Sequence, residues 1–215
     1  MDASVATPMK SNTRARDFVR LALPVVWAAG MFAARLDPWL AIGTAAALLV
    51  AAVLATDAAR VAALLRPTLQ ILLIAVLAAA AMIAVTHFSF LAMIRWMPSL
   101  RGMSAEIYGR FIDRHSLPST LAFVVPLVFA EEILWRGAFQ DALPLRSQIA
   151  RVLLAAAIYA AAHAPFGSPL LAGVAFVCAL YWSALRAASG SLIPSLVAHL
   201  AWDVALIIVP LVSLH

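Results

Sequence analysis

Val128-Phe129-Ala130-Glu131-Glu132-Ile133-Leu134-Trp135-Arg136-Gly137 sets two adjacent carboxylates and an arginine inside an otherwise apolar run. The run from about Pro118 or Thr120 to Leu143 is long and apolar enough to cross a bilayer. At mid-depth a charged side chain costs about 2.5–3.5 kcal/mol on insertion scales, so acids kept there are expected to serve a function. Helical geometry separates their jobs. Glu132 and Arg136 are four apart on one face, acid before base, which favours an ion pair, while Glu131 lies about 100° round the helix. Arg136 can neutralise one carboxylate and leaves the other for chemistry.

The rest of the chain agrees with a membrane setting. Of 215 residues, 65% are hydrophobic and only 12% charged, with a mean hydropathy of +1.00. A soluble domain is nearer half apolar and a quarter charged. The formal charge of +5 comes from fourteen arginines and one lysine. Most stand between apolar runs, where they meet anionic headgroups and set topology. No basic, aromatic-rich soluble segment supports nucleic-acid binding. The single Cys178 reads as a small buried hydrophobe without an intrachain partner.

Working outward, the pattern predicts an all-α, polytopic transmembrane helix bundle of about seven spans with one amphipathic interfacial helix. Residues 1–17 are a polar tail carrying Lys10, Arg14 and Arg16. Residues 18–94 hold three spans: Phe18–Ala34, read as an uncleaved span because no cleavage site follows it, Pro38–Thr56, and Thr68 to about Ile94. Asp57, Arg60, Arg66 and Pro67 form the connection between the second and third. Residues 95–119 read as a basic amphipathic connector in the interface. There Trp96, Leu100, Met103, Ile107 and Phe111 recur at helical spacing between Arg95, Arg101, Arg110 and Arg114. Residues 120–215 hold a four-span core: the span with the glutamates, then Gln148–Ala164, Leu170–Ala188 and Pro194–Leu214.

Intramembrane polarity is unevenly spread. The first three spans hold no acid within their apolar cores, whereas the later ones hold Glu131, Glu132, Arg136, His163, His199 and Asp203. Tyr159 and His163 are four apart, as are His199 and Asp203, so each pair shares a helix face and three helices can present polar groups to one pocket. Glutamate, histidine and histidine–aspartate are the types that water activation and oxyanion stabilisation need. His87, His115 and His215 read as ordinary hydrogen-bonding histidines.

Glu131-Glu132-xxx-Arg136, then Tyr159-xxx-His163, then His199-xxx-Asp203, in that order on successive apolar segments, resembles the CPBP family of CAAX proteases and bacteriocin-processing (Abi-like) enzymes, which includes the CAAX prenyl endopeptidases. The likeness spans roughly residues 118–214. Tyr159 stands where phenylalanine is usual, and Asp203 where many members have asparagine.

That resemblance implies an intramembrane endopeptidase. Glu131 would activate water, His163 would hold it, and His199 would serve the oxyanion with Asp203 fixing its tautomer. Glu132, Arg136 and Tyr159 would support them. No cofactor is expected. The alternative is a zinc enzyme ligated by Glu131, His163, His199 and Asp203, although no H-E-x-x-H is present. A transporter or a membrane interaction protein is the reading from outside the enzymes. Expected partners are membrane lipids and a membrane-anchored or leader-peptide protein, in the cell (inner or plasma) membrane. The positive-inside rule favours a cytoplasmic N-terminus, with ten basic residues on that side against five. One difficulty follows: His163, about 22 Å along its span, and His199, near the start of its own, fall at different depths.

Overall fold

The structure, a computed structural model, describes residues 10–112 and 115–211, without the side chains of residues 10–16. The first nine residues of the expected tail, the side chains of Lys10, Arg14 and Arg16, Arg114, the far end of the seventh span and His215 lie outside that description. Helices α1 (Lys10–Ala33), α2 (Pro38–Leu64), α3 (Leu69–Trp96), α4 (Ser99–Phe111) and α5 (Leu117–Glu131) come first. A π-helical segment, Glu132–Phe139, continues α5 into the single turn α6 (Gln140–Ala142). Then follow α7 (Gln148–His163), a 3-10 turn (Ala164–Phe166), α8 (Pro169–Ser189) and α9 (Ile193–Ile208). No strand occurs among the described residues, so the all-α class holds.

Local chemistry starts these helices. Asp37, Thr68, Ser116, Ser147 and Ser168 each stand in extended conformation before a helix, and their side chains accept from the backbone N–H of Leu40, Ile71, Ser119, Ala150 and Leu171. Such caps satisfy donors that the first turn leaves orphaned. Prolines at the start of α2, α5, α8 and α9 use the same freedom. Gly190, at φ +67, ends α8.

Five described helices are long and apolar enough to cross a membrane: α2, α3, α5 continued to Ala142, α7 with its 3-10 turn, and α8. The expected number was seven. α9 is apolar but only 16 residues long, and α1 opens on a charged stretch. The second connection also differs from expectation. Asp57 and Arg60 lie inside α2, which runs on to Leu64 through a break at Asp57 (φ −141°). They can do so because both are paired: Asp57 with Arg20 of α1, and Arg60 with Asp141. Arg186 of α8 joins Asp141 at 2.5 Å, so one carboxylate ties α2 and α8 to the glutamate-bearing segment.

The amphipathic connector is α4, shorter than expected. Leu100, Ser104 and Tyr108 face inward, and the Tyr108 hydroxyl donates to the Leu206 carbonyl of α9 at 3.0 Å. Trp96 does not join that stripe and is 90% exposed, because it ends α3 before the Met97-Pro98 turn resets the helix.

α1 packs along α2, α3 along α9, and α7 along α8. At Gly30 a Cβ would stand 3.0 Å from that of Ala45, so α1 and α2 approach as small residues allow in a membrane. The main core gathers Leu23, Trp27 and Met31 of α1 with Trp135, Tyr159 and Phe166. Large apolar side chains such as Leu69, Phe88 and Ile149 point outward, which suits lipid as solvent.

Candidate active site

The two glutamates stand where α5 changes winding. From Glu132 to Phe139 the chain is π-helical, a form that is rare and frequent at functional sites. Neighbours in sequence, Glu131 and Glu132 turn to different helices. Glu131 accepts from the Tyr159 hydroxyl of α7. Glu132 Oε1 lies 2.9 Å from His199 Nδ1 of α9 and 3.2 Å from Arg136 Nη1. That division answers the difficulty of depth: the histidines need not meet, because adjacent carboxylates reach each separately.

Arg136 is 1% exposed, and so is Glu132. The guanidinium sits between two aromatic faces, 4.7 Å from the Tyr159 ring centre and 5.0 Å from that of Trp182. An arginine between rings loses its water to cation–π contacts. The i,i+4 pair expected from the sequence is thus present, and it has a third member in His199. That imidazole stacks on Trp182, with ring centres 3.6 Å apart and planes at 21°.

Tyr159 joins the two halves. Its hydroxyl serves Glu131, and its backbone carbonyl faces His163 Nδ1 at 2.7 Å. The other ring nitrogen of His163, Nε2, accepts from the Trp27 indole N–H of α1 at 3.2 Å. An indole nitrogen only donates, so Nε2 must offer its lone pair and Nδ1 carries the proton given to Tyr159. The tautomer follows from the partners.

Asp203 stands apart from the role sketched for it. Its carboxylate is 3.8 Å from His199 Nε2, beyond hydrogen-bond reach, and 24% exposed. Glu132, not Asp203, makes the short contact to His199. The sequence reading also missed Trp27, Trp135 and Trp182. Trp135 meets Trp27 and Tyr159 edge-on at 6.1 and 5.0 Å, and nothing in tryptophan spacing marks such a wall. Of the histidines set aside, His87 Nδ1 lies 2.9 Å from its own helix's Ile83 carbonyl, and His115 stacks on Trp39.

The donor set proposed for zinc does not fit as arranged. Both nitrogens of His163 are engaged, and the short partners of His199 and Glu131 are Glu132 and Tyr159. Among the described residues no three histidine, cysteine or acid side chains converge as a metal cluster.

Fold and site together define a class: a polytopic helical membrane protein whose carboxylates and imidazoles are buried between spans. A comparison with protein families found a likeness: residues 113–205 match the family model described as Rce1-like, type II CAAX prenyl endopeptidase Rce1-like. Over that segment the chain is similar to this family of peptidases. Comparison with curated proteins gave no significant match, and neither did comparison with solved structures.

Proposed function

We propose that the chain is an intramembrane endopeptidase that hydrolyses a peptide bond of a membrane-anchored protein with a water activated by Glu131. The observation that carries this reading is the buried arrangement in which Glu131 meets α7 and Glu132 meets α9, with Arg136 held beside Glu132 alone. One acid is balanced by a cation and an imidazole. The other has only a phenol to share, and is the one able to take a proton.

In the reaction, water attacks the scissile carbonyl carbon as Glu131 removes one of its protons. The C–N bond then breaks, and the same proton passes to the departing amine. The tetrahedral oxyanion needs a donor. With Nδ1 of His199 committed to Glu132, its Nε2 donates only when the ring carries both protons, and the nearby Asp203 carboxylate supports that form. A donor so placed contributes about 3–4 kcal/mol to barrier lowering. His163 takes part in holding the water when the Trp27 indole gives way at Nε2.

The substrate class that fits is a membrane-associated protein, prenylated as the family's description implies or carrying a leader or anchor segment, and the site of action is the cell membrane. A purified sample in lipid nanodiscs, given membrane-anchored peptides of each kind and followed by mass spectrometry, tests this. Cleavage of one kind at a single bond, unchanged by a chelator, is expected. Absence of cleavage with all of them, together with ion flux in liposomes, would replace the peptidase reading with a transporter.

A further inference from the structure

The segment that bears the glutamates also bears a row of polar side chains leading away from them. Glu132, Arg136 and Gln140 are spaced by four and lie along one stripe of it. That stripe faces α8: the Arg136 guanidinium lies over the Trp182 ring, and Gln140 Nε2 donates to the Ser183 carbonyl at 3.0 Å. Next to Gln140 stands Asp141, shared by Arg186 of α8 and Arg60 of α2. Those three residues lie near the ends of helices able to cross a membrane, so the row runs from the buried acids to the membrane surface. Exposure follows the same order, from 1% at Glu132 and Arg136 and 2% at Gln140 to 9% at Arg186, 20% at Asp141 and 34% at Arg60.

Along this row, polar atoms are buried without hydrogen bonds to any described residue. They are Glu132 Oε2, Trp135 Nε1, all three nitrogens of the Arg136 guanidinium, Gln140 Oε1 and Arg186 Nε. Among the described residues only Arg20 Nε and Arg151 Nε share that condition elsewhere, so the concentration here marks a place. Buried polar atoms are nearly always bonded to protein or to ordered water, and lipid offers them no partner. Their chemistry names the ligand. The carboxylate and amide oxygens need donors, whereas the indole and the guanidiniums need acceptors. A metal ion would leave the N–H groups without acceptors, and an anion would leave the oxygens without donors. Water serves both.

We infer that the seam between the π-helical segment and α8 binds a file of waters, from the Arg60–Asp141–Arg186 cluster past Gln140 and Arg136 to Glu132, and that this file supplies the water that hydrolysis consumes, one for each peptide bond cleaved. The supply role rests on the peptidase reading; the presence of the waters does not. Gln140 is the residue on which the file depends, because it stands between the surface cluster and Arg136.

X-ray hydroxyl-radical labelling of the protein in nanodiscs, read by mass spectrometry, tests this, because radicals formed from a bound water oxidise the side chains beside it. In the wild type, Trp135 and Trp182 should be labelled about tenfold more than Phe139, a buried residue of the same segment that packs in the apolar core, after correction for intrinsic reactivity. Gln140→Leu keeps the bulk and removes the amide. It should cut the labelling of both tryptophans about fivefold and lower kcat about tenfold, with KM within about twofold of wild type. Gln140→Glu loses the bond to Ser183 as the leucine variant does, but keeps an acceptor at the same reach, so it should restore labelling and most of the rate. A role confined to the Ser183 bond would not be rescued in that way. Gln148→Leu, which removes a similar glutamine bond to the α8 carbonyl of Ala187, should change neither readout. Labelling of the wild-type tryptophans at the level of Phe139, or undiminished labelling in folded Gln140→Leu, would overturn the water file. Wild-type kcat in a Gln140→Leu whose labelling has fallen would overturn the supply role. Labelling as expected in a wild type that cleaves no membrane-anchored peptide would uphold the waters and overturn the peptidase reading, and the supply role with it. The wild-type comparison decides the waters even where a variant does not fold.

Discussion

The indole N–H of Trp27 is bonded to Nε2 of His163 at 3.2 Å, so a residue of the first helix occupies the one lone pair on that imidazole. Trp27 lies far outside residues 113–205, the segment that matches the peptidase family. The site is therefore not complete within the later helices. Removing the N–H while keeping an aromatic ring, as in Trp27→Phe, should leave the Nε2 lone pair of His163 without its donor while Nδ1 keeps its proton against the Tyr159 carbonyl. Nitrogen-15 spectra of histidine-labelled protein, with His163→Gln to assign the signal, should show the Nε2 resonance shifted and the Nδ1 resonance in place. An unchanged Nε2 resonance would mean that the contact is not made. The accompanying loss of stability should be about 1 kcal/mol, the usual net worth of one hydrogen bond.

Arg136 is expected to matter for folding more than Glu131 does. Cutting Arg136 to alanine leaves Glu132 charged and buried without its cation, which costs about 3–5 kcal/mol. The variant should express poorly or melt well below the wild type. Substituting Glu132 and Arg136 together should recover part of that loss, and a double-mutant cycle measures the coupling. Additive effects would show that the pair does not act as one.

Tyr159→Phe separates the phenol from the ring. The ring stays to face Arg136, and only the bond to Glu131 goes. A hydrogen bond to a charged group is worth about 1.5–3 kcal/mol, so the melting temperature should fall. Peptide cleavage should stay within about tenfold of wild type, because Glu131 keeps its position at the end of α5. Loss of activity as deep as that of a Glu131 substitution would give Tyr159 a direct part in the chemistry.

Asp203→Asn keeps the shape and removes a charge that stands 3.8 Å from His199 Nε2. Since the short bond of His199 goes to Glu132 instead, kcat should change by less than about tenfold, whereas Glu132→Gln should lower it by 100-fold or more. The reverse order would return the orienting role to Asp203.

Much of this was legible in the residues themselves. Glu132 with Arg136, and Tyr159 with His163, are four apart, and a spacing of four fixes a shared face whatever the tertiary fold. The spans read as Gln148–Ala164 and Leu170–Ala188 fall within a residue of α7 and α8. Contacts between helices were not legible. Trp27 and Trp182 carried no signal of their contacts, because a tryptophan that serves an imidazole has the same spacing as one that only packs. The connection expected at Asp57 and Arg60 failed for a related reason: charges that would break a lone span persist inside a helix when Arg20 and Asp141 neutralise them. The π-helical winding after Glu131 left no periodic signature either, yet it is where adjacent glutamates part towards α7 and α9.

The most direct test of the chemistry is a turnover measurement on Glu131→Gln beside the wild type, both purified in nanodiscs, with a cleaved membrane-anchored peptide and a chelator present throughout. Glutamine keeps the size and the partner for the Tyr159 hydroxyl but cannot take a proton from water. The expected result is a folded variant with the wild-type melting temperature to within a few degrees and kcat lower by 1,000-fold or more, while the wild type works at full rate in chelator. Cleavage by Glu131→Gln at near wild-type rate, or loss of wild-type activity on chelation with recovery on added zinc, would contradict it.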